Sequence, residues 1–411
     1  MLQKSSFGIR EAMSFIELER SAKLLILVDQ FEEIFRFADL RLREEVNAAF
    51  AAETRDEAAA FVRLLLTAAQ ISEYEIHIAI TMRSDFIGDC ARFHGLPEAV
   101  TASQFLVPSL TRDQRARAIC KPIELAGATI EPALVQKALN DTNDDPDQLP
   151  VLQHAMMRCW EVASRRAQDP NQKPELSLSD YYAVGGVQTA LSIHANEIVK
   201  QISHMGTGTD PRVVEVGVKR VFQALTEVDE SGRTIRRPQN FSCLVQTIAT
   251  SETAEASRQA EQIGRMIVSK FAEPQCSFLR APLGADLNGN TIVDIGHEAL
   301  IRCWDKLRGE GETDWVREEQ EDAEKYRSLL RVAMVNSIIG EQQLPTFETW
   351  WLNRNPTRAW ARRYTRGNVD RFSDVSALLR KSRNEVERLA REKEETQKTK
   401  ADLAYARRLA F

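Results

Sequence analysis

Four short stretches hold side chains whose types and spacing could do chemistry. Asp29, Glu32 and Glu33 follow the apolar run Leu24-Leu25-Ile26-Leu27-Val28. A carboxylate ending such a strand, with others just beyond it, is what nucleotide hydrolysis needs: one to hold Mg²⁺ through water, another to orient the attacking water. A buried strand with a solvated acidic tail has the same pattern. Arg83, in Thr81-Met82-Arg83-Ser84-Asp85-Phe86, ends a second apolar run. A cation there can meet a γ-phosphate, although Arg-Ser-Asp is also a common strand exit and helix cap. Pro150, in Gln148-Leu149-Pro150-Val151-Leu152-Gln153-His154, opens a helix, as prolines at ordinary helix starts do. His297, in Asp294-Ile295-Gly296-His297-Glu298, precedes an apolar helix, where a lone histidine more often packs or caps than binds a ligand.

The elements that must position these side chains can be read from periodicity. A polar-faced helix over 8–20 leads into Leu24 to Val28, a continuous apolar run of the kind found in strands buried on both faces of a parallel sheet. A helical stretch from Leu40 to Gln70 and a β-branched strand from Ile76 to Thr81 complete a strand, helix, strand unit, with Leu106 to Val107 as a third strand. Thr111 and Gln114 make a capping box that opens a run of helices to about 167. Helices over 180–202, 212–226 and 256–272 alternate with two hairpins. One is Val228 to Arg237 with Ser231-Gly232 at its tip; the other pairs Phe278 to Arg280 with Thr291 to Ile295 and leads into a helix from Glu298. That helix carries Leu300, Ile301, Trp304 and Leu307 on one face, and helices with a β-wing suggest a winged-helix unit. Helices over 312–380 and a charged helix over 381–411 follow.

Length and composition bound what these units can be. At 411 residues, 43% hydrophobic and 28% charged, the chain has room for two or three packed units. A net charge of -6 argues against a protein that coats nucleic acid, although Arg233, Arg236 and Arg237 form a small basic patch that reads most simply as a solvated hairpin. The six cysteines are scattered without metal-ligand spacing and read as reduced, buried small hydrophobes. No signal peptide and no membrane-spanning run is visible, so the expected location is cytoplasmic.

Taken in order, the phrases LLILVDQFEEIF, TMRSDF, LPVLQHAM and DIGHEALIRCW resemble the motif set of the STAND NTPases, most closely the bacterial novel STAND group often fused to WD-repeat propellers. The resemblance spans about 20–380. It implies an α/β plus α fold: a partial P-loop NTPase (AAA+-like) parallel sheet over 1–108, a helical lid domain over 109–167, a winged-helix domain over 175–310, helices over 311–380 and a connecting helix over 381–411. By the same resemblance Asp29 is the metal aspartate, Glu32 or Glu33 the catalytic base, Arg83 the sensor arginine and Pro150 the residue packed on adenine. His297 faces the ADP phosphates, and Glu298 and Arg302 tie its helix to the ATPase core. ATP or ADP with Mg²⁺ are the implied ligands, a propeller the implied C-terminal sensor, and a homo-oligomer the implied active state.

One family feature is missing from the sequence. A phosphate loop needs glycines plus Lys and Ser/Thr, and only Gly8 precedes Asp29; Lys4-Ser5-Ser6 echoes the loop's end by coincidence. A truncated front is therefore expected, with an apolar edge left exposed around Leu24 to Val28. The implied function is a nucleotide-operated signalling switch that is inactive in ATP binding as this fragment. A nucleotide-free scaffold and a winged-helix DNA-binding regulator are the competing readings.

Overall fold

The computed structural model describes residues 5–15, 23–35, 48–71, 73–142, 148–167, 173–205, 210–228, 232–282, 287–308, 314–365 and 369–409. The chain is mostly helical and divides into two units, 1–108 with 365–369, and 109–364 with 370–411. Among the described residues no helix is long and apolar enough to cross a membrane.

In the first unit, α1 (Gly8–Ser14), β1 (Lys23–Val28), α2 (Ala48–Ala69), β2 (Glu75–Ile80) and α3 (Leu96–Ser103) follow one another. β1 and β2 pair in parallel, from Lys23 opposite Glu75 to Val28 opposite Ile80. Alternation along β1 turns Leu24, Ile26 and Val28 to one side, where α1 and α2 cover them. The stripe Ala58, Val62, Leu65 of α2 packs with Phe31 and Phe35, while Leu64 and Ala68 pack with Ile9 and Met13 of α1. Ile26 and Ile78 touch both groups.

The expected burial of β1 on both faces is not what forms. Leu25 and Leu27 are 66% and 62% exposed, because α1 and α2 lie on one side and no described element covers the other. Leu106 and Val107 are not a strand either; they are 75% and 79% exposed and pair with no sheet edge, without which a β segment cannot satisfy its backbone. The expected helical stretches 16–20 and 40–47 lie outside the described residues.

The second unit opens with α4 (Arg112–Leu125), whose N-cap Thr111 accepts from the Gln114 N–H while the Gln114 side chain accepts from the Thr111 N–H. There follow β3 (Thr129–Ile130), α5 (Pro132–Asp141), α6 (Gln148–Arg166), β4 (Glu175–Leu176), α7 (Leu178–Ala183), α8 (Gly186–Ser203) and α9 (Pro211–Ala224). β3 and β4 pair in parallel. Next come β5 (Thr226–Val228), β6 (Thr234–Arg236), β7 (Gln239–Asn240), α10 (Phe241–Ile248), α11 (Ala254–Phe271), β8 (Leu279–Arg280) and β9 (Ile292–Ile295). β5 and β6 form an antiparallel pair, and β9 lies between β7 and β8 in a three-stranded antiparallel sheet.

The helix expected over Glu298 to Leu307 is two short helices, α12 (Glu298–Cys303) and α13 (Asp305–Arg308), broken where Trp304 takes an extended backbone. Trp304 is fully buried there against Phe222, Phe271 and Trp315, and its Nε1–H donates to Asn196 Oδ1 at 3.0 Å. One apolar core runs through this part of the unit, from Ile119 to Val316. A second core gathers α14 (Trp315–Met334), α15 (Leu344–Arg354), α16 (Arg358–Arg362) and the base of α17 (Phe372–Leu409).

Candidate functional site

Strand pairing brings the ends of β1 and β2 side by side, so that Asp29 and Thr81 become neighbours. The ladder runs one step past the strands, Thr81 N–H donating to Val28 O at 2.9 Å and Phe31 N–H to Thr81 O at 2.9 Å. The Thr81 hydroxyl donates to Asp29 Oδ1 and accepts the Gln30 N–H at 3.0 Å. Between these bonds Gln30 adopts a left-handed backbone, φ 54°. Phe31 and Phe35 then drop into the core at a ring separation of 5.8 Å, and Phe35 meets Phe86 and Phe93. This aromatic plug fixes where residues 29–35 leave the sheet.

A cavity of about 370 Å³ opens at this turn. Val28, Asp29, Gln30, Glu33 and Ile34 line it from the strand end, and Glu57, Ala58 and Phe61 from α2. Three carboxylates therefore border one space. Glu32 is not among them: it is buried, and its Oε2 has no hydrogen-bond partner among the described residues. Of the two glutamates that the sequence leaves open, Glu33 is the one at the cavity. Arg83 caps the short turn Ser84–Phe86 and donates to Asp85 Oδ2 at 2.8 Å, so part of its charge is met locally.

Pro150 and His297 belong to the second unit. Pro150 is exposed in the first turn of α6. One turn on, the buried His154 stacks on His194 of α8, with Nδ1 of His194 at 3.2 Å from Nε2 of His154 and Phe278 against both rings. Burial, with Arg158 beside both rings, lowers His154 to about 4 and His194 to about 3; His297 adds to the effect on His154. Pro150 thus lies one turn before His154, and His297 acts on the same residue through its charge. His297 itself is exposed at the N-cap of α12 and makes no side-chain capping bond. Partial desolvation of its ring, with Arg280 and Arg236 nearby, keeps it neutral to a lower pH than usual.

Gly296 sets the entry to His297, because a Cβ at that position would lie 2.1 Å from the main-chain oxygen of Ser277. Glu298 pairs within its own unit, with Arg302 at 3.1 Å and with Arg236 at 3.9 Å. Arg236 also pairs with Asp294 at 2.9 Å, and Arg237 with Glu227 at 3.6 Å. Two of the three arginines in the supposed basic patch are thus internal ion-pair partners rather than a surface for phosphates.

The sequence reading missed three features. Glu57 sits on a charged helix where one glutamate reads as solvated. Thr81 was visible only as the first residue of a strand exit. Glu319 is the third: it is buried and accepts from Trp360 Nε1 at 2.8 Å, Arg363 at 3.0 Å, Arg354 at 3.1 Å and the Tyr364 hydroxyl. Burial pushes its carboxyl up, and the two arginines with the Tyr and Trp donors outweigh that and hold it below its ordinary value. Of the cysteines, Cys90, Cys159 and Cys276 are buried as expected, whereas Cys243 is exposed.

No curated protein and no solved structure matches the chain. The family model described as Novel STAND NTPase 1 matches residues 3–335. That span takes in the Asp29 turn, the Arg83 exit, the Pro150 helix and the His297 hairpin together, and the chain belongs to the novel STAND NTPase family.

Proposed function

We propose that the chain is the regulatory core of a nucleotide-operated signalling switch and that the turn after β1 is the metal side of its nucleotide site. One observation carries this reading: Asp29, Glu33 and Glu57 border a single cavity at the carboxyl end of a parallel strand pair, where open α/β sheets bind ligands. Among the described residues no three His, Cys, Asp or Glu side chains stand close enough to hold a metal by themselves. Mg²⁺ keeps several waters and takes one or two carboxylates together with phosphate oxygens, so Asp29 with Glu33 would hold it alongside a bound nucleotide.

When bound, Mg²⁺-ATP supplies a γ-phosphoryl group whose charge the metal offsets. On this reading Asp29 orients the metal's water shell and Glu33 accepts a proton from the attacking water. Arg83 meets charge on the phosphates and Pro150 packs against the base. His297 donates to a phosphate in the resting, ADP-bound state; its helix is only one turn and a half, so the imidazole rather than a helix dipole carries this contact. Exchange of ADP for ATP is the switching event, with regulation of an attached C-terminal domain and self-association as what the family suggests.

The test is equilibrium titration with Mg²⁺-ATP and Mg²⁺-ADP. With Gly8 the only glycine ahead of Asp29, the 411 residues alone bind ATP weakly and hydrolyse it negligibly. Fusing an in-frame upstream GKS or GKT segment, if the genomic DNA encodes one, restores both, and Asp29→Ala removes them again. Tight ATP binding by the 411 residues that survives Asp29→Ala contradicts the assignment. An extended chain that binds neither nucleotide points instead to an interaction scaffold.

A further inference from the structure

We infer that Thr81 is the positioning residue of the Asp29 carboxylate, an inference that rests on the reading of Asp29 as the metal-side aspartate. A threonine hydroxyl has one proton and two lone pairs. Here the proton goes to Asp29 Oδ1 and a lone pair takes the Gln30 N–H, so both ends of one dipole hold consecutive residues of the opposite strand's exit. The main chain of Thr81, one residue past β2, adds two further bonds, to Val28 O and from Phe31 N–H.

The arrangement has a physical consequence for each partner. Gln30 is held at φ 54°, a region unfavourable to a residue with a Cβ, and the hydroxyl satisfies the amide that this conformation would otherwise leave to solvent. Asp29 is exposed, so nothing in its packing fixes its rotamer. The Thr81 bond occupies Oδ1, and Asp29 lines the same cavity as Glu33 and Glu57. A carboxylate held by a second residue keeps one orientation toward a cation or its waters. Loss of such an outer partner typically lowers metal affinity 10- to 100-fold.

Thr81→Val keeps the β-branched shape and deletes the hydroxyl, while Thr81→Ser keeps the hydroxyl. Binding of Mn²⁺ to the 411-residue chain is read from loss of the free-ion electron paramagnetic resonance signal, and exchange of the Gln30 and Phe31 amides by hydrogen–deuterium exchange at residue resolution. The expected result is at least tenfold weaker Mn²⁺ binding in Thr81→Val, near wild-type binding in Thr81→Ser, and no binding in Asp29→Ala. The Gln30 amide is protected in the wild type and in Thr81→Ser and exchanges freely in Thr81→Val, while Phe31, whose acceptor is the Thr81 carbonyl, stays protected. Wild-type Mn²⁺ affinity in Thr81→Val, or an unprotected Gln30 amide in the wild type, overturns the inference; the second measurement decides even if Thr81→Val fails to fold. Mn²⁺ binding that Asp29→Ala leaves intact overturns the metal reading of Asp29 and this inference with it, whereas an unprotected Gln30 amide in the wild type overturns this inference alone.

Discussion

Nδ1 of His194 lies 3.2 Å from Nε2 of His154, and the two buried rings can share only one proton between them. The pair is stable when both imidazoles are neutral, one donating and one accepting. Protonating both would set two cations against each other beside Arg158, whose own charge is met by Glu161 and Glu197.

The pH dependence follows. Folding lowers both groups from about 6.5, to about 4 and about 3, so the unfolded chain binds more protons in the window below 6.5. The contribution to stability is present above that value and is lost as pH falls through 6.5 toward 4. Two protons over this window amount to about 3 kcal/mol between pH 6.5 and 5. All six tryptophans lie in the second unit, so tryptophan fluorescence follows its unfolding alone. Urea midpoints should fall steeply over this range in the wild type and much less in a His154→Gln/His194→Gln double variant; parallel curves would show that the pair does not titrate on unfolding.

Glu319 should be the costliest polar truncation in the second unit. Glu319→Ala leaves Arg354 and Arg363 buried with a lost partner, together with the Trp360 and Tyr364 donors, and breaking a buried pair from one side costs about 3–5 kcal/mol. Arg363 also donates to Gln223 O at 2.9 Å, so the loss spreads to α9. Denaturation followed by tryptophan fluorescence measures it, and a loss under about 1 kcal/mol would mean the network is held by its neighbours rather than by the carboxylate.

Gly296→Ala should destabilise the second unit by at least about 2 kcal/mol, since the new methyl must displace main chain rather than a flexible side-chain end. Gly340→Ala is the control: nothing lies within 4 Å of a Cβ there, and a change within about 0.5 kcal/mol is expected. Thermal melts of the two variants side by side check both statements.

How far the sequence could be read depended on whether a feature was local. The pairing of β1 with β2 and the capping box at Thr111 were legible because hydrophobic runs and short-range side-chain bonds are written in adjacent residues. Leu300, Ile301, Trp304 and Leu307 share an apolar spacing that adjacent sequence reveals, and all four are buried, yet the helix breaks at Trp304 because that indole is drawn between Phe222 and Trp315, residues far along the chain. Which of Glu32 and Glu33 borders the cavity also needed the fold, since the descent of Phe31 and Phe35 into the core decides which of two adjacent glutamates turns inward. His154 with His194, and Glu319 with Arg363, meet across some forty residues, and no spacing rule reaches that far.

α17 is 38 residues long, about 57 Å of continuous helix. Its base is fastened: Val375, Leu378 and Leu379 are in the core, and the buried Ser382 hydroxyl accepts from Ile339 N–H at 2.9 Å. Farther out, Lys393 reaches Glu341 at 3.0 Å. From Ser382 to Leu409 is about 40 Å of stiff rod, so a tilt of about 10° at the fulcrum sweeps the far end through about 7 Å. The helix is a lever: a small tilt at its fastened base becomes a far larger displacement at Leu409.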